Sequence, residues 1–436
     1  SFDSSHIQIV DTSRNTLAYN LTNGAYTVNP TSATLTPTTN PTTTIPPKAS
    51  PTQPPSNSGP TATPTTRPTS TPTNKPTATP TMSNSSGPTP TLPPIMPGKG
   101  IWISKEEIMS IPASGAAWDR LKNAANSSWG SAKLGDNNSD HDVKTLAGAL
   151  VATRLNDSNM RSKTIQGLQS AMNSSLSRSL ELSRGLQTYI IAADIIGYQD
   201  SAFKSWVREM LNANVSAHMG GSSLCNSSGT SYSCSGVGGV RCTAQRSANN
   251  WGGHARASVA AAAVYLGDSS LLQEVTNAYK AFIGLSVPNH LYCESTNWHA
   301  DSSNKFGINR KGSTISGKNV SGVLPEDWRR STNFQWPPVD SGYMWEGLQG
   351  TVVTGVILHR AGTVPFNSSE NAIVRAFNML YGYGEAANNS PVYVNKAAGD
   401  DTWQPWVVNY YAGTNFPTGA ATSGKNMGWT DWTHAR

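Results

Sequence analysis

The chain has 436 residues, of which 36% are hydrophobic and 13% are charged, and its formal net charge is +6. Its cations form no Lys/Arg blocks and no apolar run is long enough to span a bilayer, which argues against a nucleic-acid-binding protein and against a membrane span. A mildly basic protein of this kind favours an acidic ligand, such as a polymer of uronic acids.

Residues 1–29 are a short β-rich segment. They contain the alternating stretches HIQIV, TLAYNL and AYTV, with Thr-Asn-Gly as a turn signal. Two or three strands are expected, which are too few for an independent domain. Because the chain opens without the charged and apolar regions of a signal peptide, we expect a fragment whose first residues are the tail of an upstream β domain.

Residues 30–98 consist almost entirely of Pro, Thr, Ser, Asn and Ala, with repeats such as TATPTTRPTS. Such a stretch cannot bury enough apolar surface to offset the entropy lost on ordering. A disordered, extended linker open to O-glycosylation is therefore predicted. All thirteen tryptophans follow it, so the folded mass is predicted to be one domain over 99–436.

The mucin-like linker indicates export, so we expect a secreted or cell-surface protein. All four cysteines follow the linker, and in an exported chain an even number predicts disulfides. Two bridges in one of three pairings are expected among Cys225, Cys234, Cys242 and Cys293.

Apolar residues recur at helical spacing along most of the domain, and many of these segments begin at Ser, Asp or Asn. Ser104 and Glu107 form a capping box. The stretch 183–198 is apolar over nearly its whole length, which predicts an inner helix. Short turns join consecutive helices, so the sequence predicts an all-α domain of helical hairpins around a central groove. The expected helices cover about 115–125, 141–155, 158–172, 180–197, 201–215, 251–266, 269–285, 342–361 and 368–382.

Three long stretches, 218–246, 286–341 and about 391–436, lack this periodicity and are predicted to be irregular. The last contains tryptophans that either pin the tail to the helices, which we favour, or stack on sugar rings. They are Trp403, Trp406, Trp429 and Trp432.

The acidic stretch 136–142 lacks the glycine and the distal glutamate of an EF-hand. Asp142 is therefore predicted to cap the next helix rather than to bind calcium. No phosphate loop, Rossmann fingerprint or metalloprotease motif is present, and no metal or cofactor is expected.

The stretch 247–268, SANNWGGHARASVAAAAVYLGD, is the strongest candidate for a functional segment. A polar, glycine-containing turn leads directly into an alanine-rich helix. Asn250 and His254 are four residues apart and share one helix face, beside the indole of Trp251, which suits chemistry on a sugar. The alternative interpretation is structural, with Asn250 as an N-cap and His254 as a hydrogen-bonded core histidine.

Several motifs together resemble the alginate lyase-like superfamily of polysaccharide lyases. They are IWISKEEI, HDVKTLAGALVATRL, SRGLQTYIIAADI, NNWGGHARASVAAAAVYLGD, GVLPEDWRR, YMWEGLQGTVVTGVILHRAG, GDDTWQPW and GKNMGWTDWTH. The resemblance covers essentially all of 101–436 in a preserved order. It implies an incomplete (α/α) toroid, with the linker and the β fragment before it.

The resemblance also implies cleavage of an anionic, alginate-like polysaccharide by β-elimination. The C5 proton of a uronic acid is weakly acidic, because the carboxylate beside it is already negative. An enzyme must neutralise that carboxylate and must hold a base at C5 and an acid at the departing O4. Such lyases use an Asn with a His or Arg as the neutraliser and a Tyr as base, acid or both.

Carried over to this sequence, the catalytic residues are Asn250, His254, Tyr343 and Arg330. A tyrosine is a poor base at neutral pH unless cations stabilise its phenolate, and an arginine beside Tyr343 would do that. The groups expected to bind substrate are Arg184, Gln187, Asn249, Trp251, His299, Arg329 and Glu346.

Some assignments stay open. Trp251, Gly252 and Gly253 separate the Asn from the His, whereas the family places them side by side, so His254 is the base, a neutraliser or a support. His299 is its competitor, and Asn249 competes with Asn250. Arg329 and Arg330 cannot be separated, and Glu346 either orients its neighbours or is a helix-face charge.

Two other function classes remain. A glycoside hydrolase on the same toroid would need paired carboxylates, and its conceivable acids are Asp194, Glu326, Asp340 and Glu346. A non-catalytic surface module would bind glycans through its tryptophans. For the lyase, the expected partner is an anionic polysaccharide, and a monomer is expected.

Overall fold

The computed structural model describes residues 100–216, 236–287, 292, 296–303, 305–330, 332–421 and 426–435, and the backbone of four short strands near the N-terminus. The chain divides into two compact units, Ser1–Ser85 and Ser86–Arg436. The predicted linker over 30–98 lies outside the described residues.

The described part of the first unit consists of two antiparallel hairpins. Strand β1 (Ile9–Val10) pairs with β2 (Thr16–Leu17), and β3 (Tyr19–Thr22) pairs with β4 (Ala25–Val28). Strands β3 and β4 flank the Asn-Gly of the turn signal in the sequence.

The described part of the second unit is predominantly α-helical, as predicted. Its capping signals act as expected: Ser104 and Glu107 form the capping box of the first helix, and Asp157, Asp200 and Asp268 cap later ones. The helices are α1 (Lys105–Ser110), α2 (Ala116–Asn126), α3 (His141–Leu155), α4 (Ser158–Met172), α5 (Ser179–Ile195), α6 (Ser201–Asn212), α7 (Gly239–Arg246), α8 (Asn250–Leu266), α9 (Ser269–Phe282), α10 (Pro325–Trp328), α11 (Tyr343–Arg360), α12 (Ser368–Tyr381), α13 (Gln404–Ala412) and α14 (Thr430–Thr433). A short hairpin precedes α10, in which the two-residue strands β5 (Thr314–Ile315) and β6 (Lys318–Asn319) pair antiparallel.

Four helices form the interior of this unit. Helices α3, α5, α8 and α11 are buried on nearly all sides, and each packs on the next in that order. Each is followed by a helix with only one buried face, namely α4, α6, α9 or α12. This alternation follows from the sequence, because uniformly apolar segments alternate with amphipathic ones.

Glycines allow α8 and α11 to cross closely. A Cβ at Gly350 of α11 would lie 2.2 Å from the carbonyl carbon of Gly253 and 2.3 Å from the backbone nitrogen of His254. A Cβ at Gly347 would lie 2.2 Å from a carboxylate oxygen of Asp327. A Cβ at Gly252 would lie 1.8 Å from the Ser247 carbonyl oxygen, and one at Gly253 would lie 3.0 Å from the Gly347 carbonyl oxygen. The two glycines that separate Asn250 from His254 therefore have a packing role.

The C-terminal tail packs against the first helices of the unit. The indole nitrogen of Trp429 donates to the carbonyl of Val143 on α3 (3.0 Å), and that of Trp432 donates to the carbonyl of Pro112 (2.9 Å). Asp431 forms an ion pair with Arg120 of α2. Trp403, Trp429 and Trp432 are buried, so the favoured interpretation of the tail tryptophans as packing residues is confirmed for these three.

Four helices of the described residues lie where irregular structure was expected: the four-residue helices α10 and α14 and the longer helices α7 and α13. Helix α7 falls inside the predicted loop 218–246. It spans only eight residues with few apolar ones, after a Gly/Ser-rich stretch, so its helical spacing is too short to stand out in the sequence. Helix α13 falls inside the predicted irregular tail. Its signals were present, since Pro405 lies in its first turn and Gly413 ends it in the left-handed conformation.

Two further expectations concern cysteines and membranes. Cys242 is buried on α7 and is disulfide-bonded, whereas Cys225, Cys234 and Cys293 lie outside the described residues, so the pairing stays a prediction. Among the described residues, no helix combines the length and the apolar character needed to cross a bilayer.

Candidate active site

The start of α8 places the two neighbouring asparagines in different roles. Asn249 is the N-cap, and its side-chain oxygen accepts the Trp251 backbone N–H at 3.1 Å. Asn250 is the first helical residue, so the interpretation of Asn250 as the cap was wrong. Its side chain is available for other partners, and Asn249 is no longer its competitor.

Contacts with Arg330 fix the orientation of the Asn250 amide. Nη1 of Arg330 lies 2.7 Å from Oδ1 of Asn250. A guanidinium only donates hydrogen bonds, so the oxygen must face Arg330. The amide nitrogen then points the other way and donates to Oε2 of Glu346 at 2.9 Å.

Arg184 of α5 reaches the same carboxylate from the opposite side. Its Nη2 donates to Oε2 of Glu346 at 2.8 Å, and the side chains of Arg184 and Glu346 are 7% and 31% exposed. One carboxylate oxygen thus accepts hydrogen bonds from two helices at a partly open position. Arg184 also lines a very small pocket of about 10 Å³ together with Asn137, Asp142 and other residues.

Tyr343 joins this group through Arg330. The guanidinium carbon of Arg330 lies 3.7 Å from the centre of the Tyr343 ring, in cation–π contact. Tyr343 begins α11 and is half-buried, and Glu346 follows it by about one helical turn. The structure therefore brings together five sequence-predicted residues, which we call the rim cluster: Arg184, Asn250, Arg330, Tyr343 and Glu346.

Asp327 of α10 supports the rim cluster and was missed by the sequence analysis. It is completely buried, and one of its carboxylate oxygens accepts the Asn250 backbone N–H at 2.9 Å. Burial raises the pKa of Asp327 well above its ordinary value, although the Asn250 bond opposes the shift. Since α10 ends two residues before Arg330, Asp327 fixes the start of α8 beside that arginine. The segment PEDWRR contained Asp327, but nothing in its spacing marked it.

His254 lies deeper than Asn250 on the same helix. It is completely buried, and neither ring nitrogen has a hydrogen-bond partner among the described residues. Burial lowers the pKa of His254 well below its ordinary value, and the charge of Arg184 adds to this effect, so the ring is neutral. The predicted catalytic role of His254 does not fit this position, because a polymer has no access to it.

Gln187 shares this sealed environment. It lies almost one turn after Arg184 on α5, is completely buried, and has no hydrogen-bond partner for either amide atom among the described residues. The expectation that Gln187 lines the groove is therefore wrong. We call His254 and Gln187 the buried layer.

The remaining predicted residues have other neighbours. Arg329 donates through Nε to Glu326, and Nε2 of His299 lies 3.4 Å from the other carboxylate oxygen of Glu326. Both His299 and Glu326 have buried side chains. The structure thus separates the two arginines that the sequence could not, since Arg330 contacts Asn250 and Arg329 contacts Glu326. Trp251 is half-buried, and the guanidinium of Arg178 lies 5.3 Å from its ring.

Two buried carboxyl groups near Arg184 have raised pKa values. Burial raises the pKa of Asp142 and that of Asp401 to about 7. Asp401 accepts hydrogen bonds from the amides of Gln349 (2.8 Å) and Gln404 (2.9 Å). Asp142 is the second residue of α3, where Asp140 has the N-cap position, so the prediction of Asp142 as the cap was wrong.

No protein-family model matches the chain, and no curated protein sequence is detectably similar to it. Among the described residues, no group of three or more His, Cys, Asp or Glu side chains is arranged to hold a metal ion. The contacts of the rim cluster are therefore the basis for assigning a function.

Proposed function

We propose that the helical unit is a polysaccharide lyase that cleaves a uronic-acid polymer by β-elimination. One observation supports this most directly: an asparagine amide and an arginine converge on one carboxylate oxygen, next to a tyrosine that stacks on a second arginine. Neutralising a carboxylate beside a phenol is the task that elimination at a uronate requires.

In this mechanism the substrate carboxylate binds to Asn250 and Arg184. Their N–H groups and positive charge stabilise the negative charge that grows on the carboxylate when C5 loses its proton. The electron pair of the C5–H bond forms the C4–C5 double bond, and the C4–O4 bond breaks with its electron pair going to O4.

Tyr343 serves as both base and acid. Its phenolate takes the C5 proton and passes it to the departing O4, which restores the phenolate. Arg330, fixed against the ring by its bond to Asn250, stabilises the negative phenol oxygen. Because one residue performs both transfers, the proton and the leaving group depart from the same face of the sugar. His254 takes no part in proton transfer and packs between helices instead.

We also propose that the helical unit is an incomplete (α/α) toroid and that it belongs to a known lyase superfamily. The succession of inner helices α3, α5, α8 and α11, and the contacts of the tail with α2 and α3, are consistent with an incomplete (α/α) toroid. We propose membership of the alginate lyase-like superfamily on the motifs quoted above. An extracellular location, with a Thr/Pro-rich linker and two disulfides, and a monomer that needs no cofactor complete the proposal.

A screen of uronate polymers tests it. The wild-type chain should generate products that absorb in the ultraviolet as unsaturated uronates, from at least one of alginate, glucuronan, hyaluronan and polygalacturonate. Tyr343→Phe should lower the rate by at least about 100-fold, since it removes the group that transfers the proton. The matched control is Tyr383→Phe at an exposed tyrosine of the C-terminal part, which should keep full activity. Activity unchanged in Tyr343→Phe would exclude the mechanism.

A glycoside hydrolase is the second candidate, and Asp142 is the observation that favours it. A carboxyl group whose pKa is raised to about 7 keeps a large protonated fraction near neutral pH, as a general acid requires. Asp142 lines the pocket beside Arg184. Products without ultraviolet absorbance, and their loss in Asp142→Asn, would favour hydrolysis over elimination.

A further inference from the structure

The carboxylate site of the rim cluster is filled by a side chain of the protein itself. Oε2 of Glu346 accepts hydrogen bonds from Nδ2 of Asn250 (2.9 Å) and from Nη2 of Arg184 (2.8 Å). These two donors are the groups that the proposed function assigns to the carboxylate of the substrate. Glu346 presents the same chemical group to them, at the same partly open position.

Two carboxylates cannot share these donors favourably. A second carboxylate brought against Oε2 of Glu346 would meet a like charge at hydrogen-bond distance, which disfavours the ionised form of one of them. The Asn250 amide cannot offer a second site for a carboxylate, because its oxygen accepts a hydrogen bond from Arg330. An anionic ligand therefore binds to these donors only after Glu346 has left them.

Glu346 is able to leave without any change in the backbone. Its side chain is 31% exposed, it lies in the first turn of α11, and rotation about its side-chain bonds between staggered conformers moves the carboxylate towards solvent. Arg184, in contrast, is 7% exposed and Asn250 is buried. The donors are thus fixed, and the bound carboxylate is the exchangeable part.

We propose that Glu346 is a resident competitor for the substrate carboxylate, bound to Asn250 and Arg184 in the free protein and displaced by a uronate. This inference rests on the proposed function for the identity of the ligand. It makes Glu346 a specificity-determining residue: a sugar with a carboxylate replaces the interaction that Glu346 gives up, whereas a neutral sugar does not. It also makes Arg184 the cation that neutralises the substrate carboxylate, while Arg330 stabilises the phenolate of Tyr343.

Binding of a monosaccharide tests this without any turnover. Glucuronate has no glycosidic bond to break, so an NMR or calorimetric titration reports the carboxylate site alone. Glu346→Gln keeps the shape of the side chain and removes its charge. Since a partly exposed ion pair contributes about 1 kcal/mol at most, loss of the competitor should tighten glucuronate binding by about fivefold. Glucose should not bind measurably to either form.

Two further variants make the result specific. Glu274→Gln, which weakens the separate ion pair with Arg241 (2.6 Å), should leave glucuronate binding unchanged. Glu346→Asp, whose shorter side chain cannot hold both donors, should also bind glucuronate more tightly than the wild type, and it replaces Glu346→Gln if that variant does not fold.

Unchanged or weaker binding in a folded Glu346 variant would overturn the proposal, because Glu346 would then position the donors rather than compete for them. Absence of any binding to the variants would overturn it as well. Failure of the proposed function appears separately, as a wild-type chain that releases no unsaturated product from any polymer. The titration keeps its meaning in that case, since it measures binding of the anion alone.

Discussion

The rim cluster and the buried layer lie on the same helices and have opposite properties. Asn250 and His254 share a face of α8, and Arg184 and Gln187 lie almost one turn apart on α5. In the rim cluster the Asn250 amide has partners within 3 Å on both sides, Arg330 and Glu346, and Glu346 also accepts from Arg184. In the buried layer, His254 and Gln187 have none among the described residues.

This difference shows that a shared helix face does not mean a shared depth. One turn of an α-helix advances about 5.4 Å along the axis. Here it separates Asn250, whose amide donates to the partly exposed Glu346, from His254, whose ring nitrogens have no partner among the described residues. The close crossing of α8 and α11 at Gly253 and Gly350 closes the space around His254. Substitutions in the rim cluster are therefore expected to lower activity, whereas the buried layer is expected to tolerate apolar substitutions.

The largest loss of activity is expected for a substitution at Asn250. Asn250→Ala removes the amide that donates to the carboxylate and leaves the backbone bond to Asp327 in place. We expect kcat/KM to fall by about 100- to 1,000-fold, the cost of losing one donor to a developing negative charge. The urea midpoint should stay close to that of the wild type. Activity near that of the wild type would remove the distinction between the two regions.

A smaller loss of activity is expected for a substitution at Arg330. In Arg330→Lys the charge stays, but the planar guanidinium that both bonds Asn250 and stacks on Tyr343 is lost. A drop in kcat/KM of about 10- to 100-fold follows from weakening a hydrogen bond to a charged group. Arg329→Lys is the matched control, and because Arg329 contacts Glu326 instead, its activity should stay within about twofold. Equal losses in both variants would contradict the separation of the two arginines.

His254 should tolerate an apolar replacement. His254→Leu removes a buried ring whose nitrogens have no partner, and an apolar side chain of similar size avoids the desolvation cost of such a group. We expect the free energy of unfolding to be unchanged or higher by about 1 kcal/mol, and kcat to stay within about threefold of the wild type. A loss of activity as large as that of Asn250→Ala, in a variant of normal stability, would place His254 in the reaction after all.

The smallest effect on activity is expected at Asp401, whose ionisation changes the pH dependence of stability. The pKa of Asp401 is about 7 in the folded protein and near 3.8 without burial. Between these values the unfolded chain loses its proton while the folded one keeps it, so the free energy of unfolding falls as pH rises from about 4 to about 7. Asp401→Asn keeps an acceptor for Gln349 and Gln404 and should reduce this fall by on the order of 2 kcal/mol. Denaturant unfolding at several pH values measures it, and parallel curves for the two proteins would show that Asp401 ionises normally.

Much of the helical architecture was predictable, because the inner helices carry long apolar runs and the outer ones carry amphipathic repeats. The predicted ends agree with those of α3 and α4 (141–155 and 158–172), and for α4 the Asp157 cap marks the start locally. Helix α7 was not predictable in this way. Its residues are polar and are held by tertiary contacts that no window of sequence contains.

The members of the site were predicted better than their roles. Residues far apart in the chain, such as Arg184 and Glu346, were both proposed, but only the fold shows that they share one oxygen. Helical spacing placed Asn250 and His254 on one face, and it carries no information about how deep each residue lies. The choice between Arg329 and Arg330 depends on a local turn after α10, which periodicity cannot resolve.

The most direct test of the rim cluster as a lyase site is the mass of the new chain ends. Purified wild-type protein is incubated with each uronate polymer, and the oligosaccharides are analysed by mass spectrometry. Elimination predicts non-reducing ends that lack one water relative to a hydrolysed end and that form at least about 100-fold more slowly in Asn250→Ala. Fully hydrated ends from the wild type, or unsaturated ends that form as fast in Asn250→Ala as in the wild type, would contradict the account.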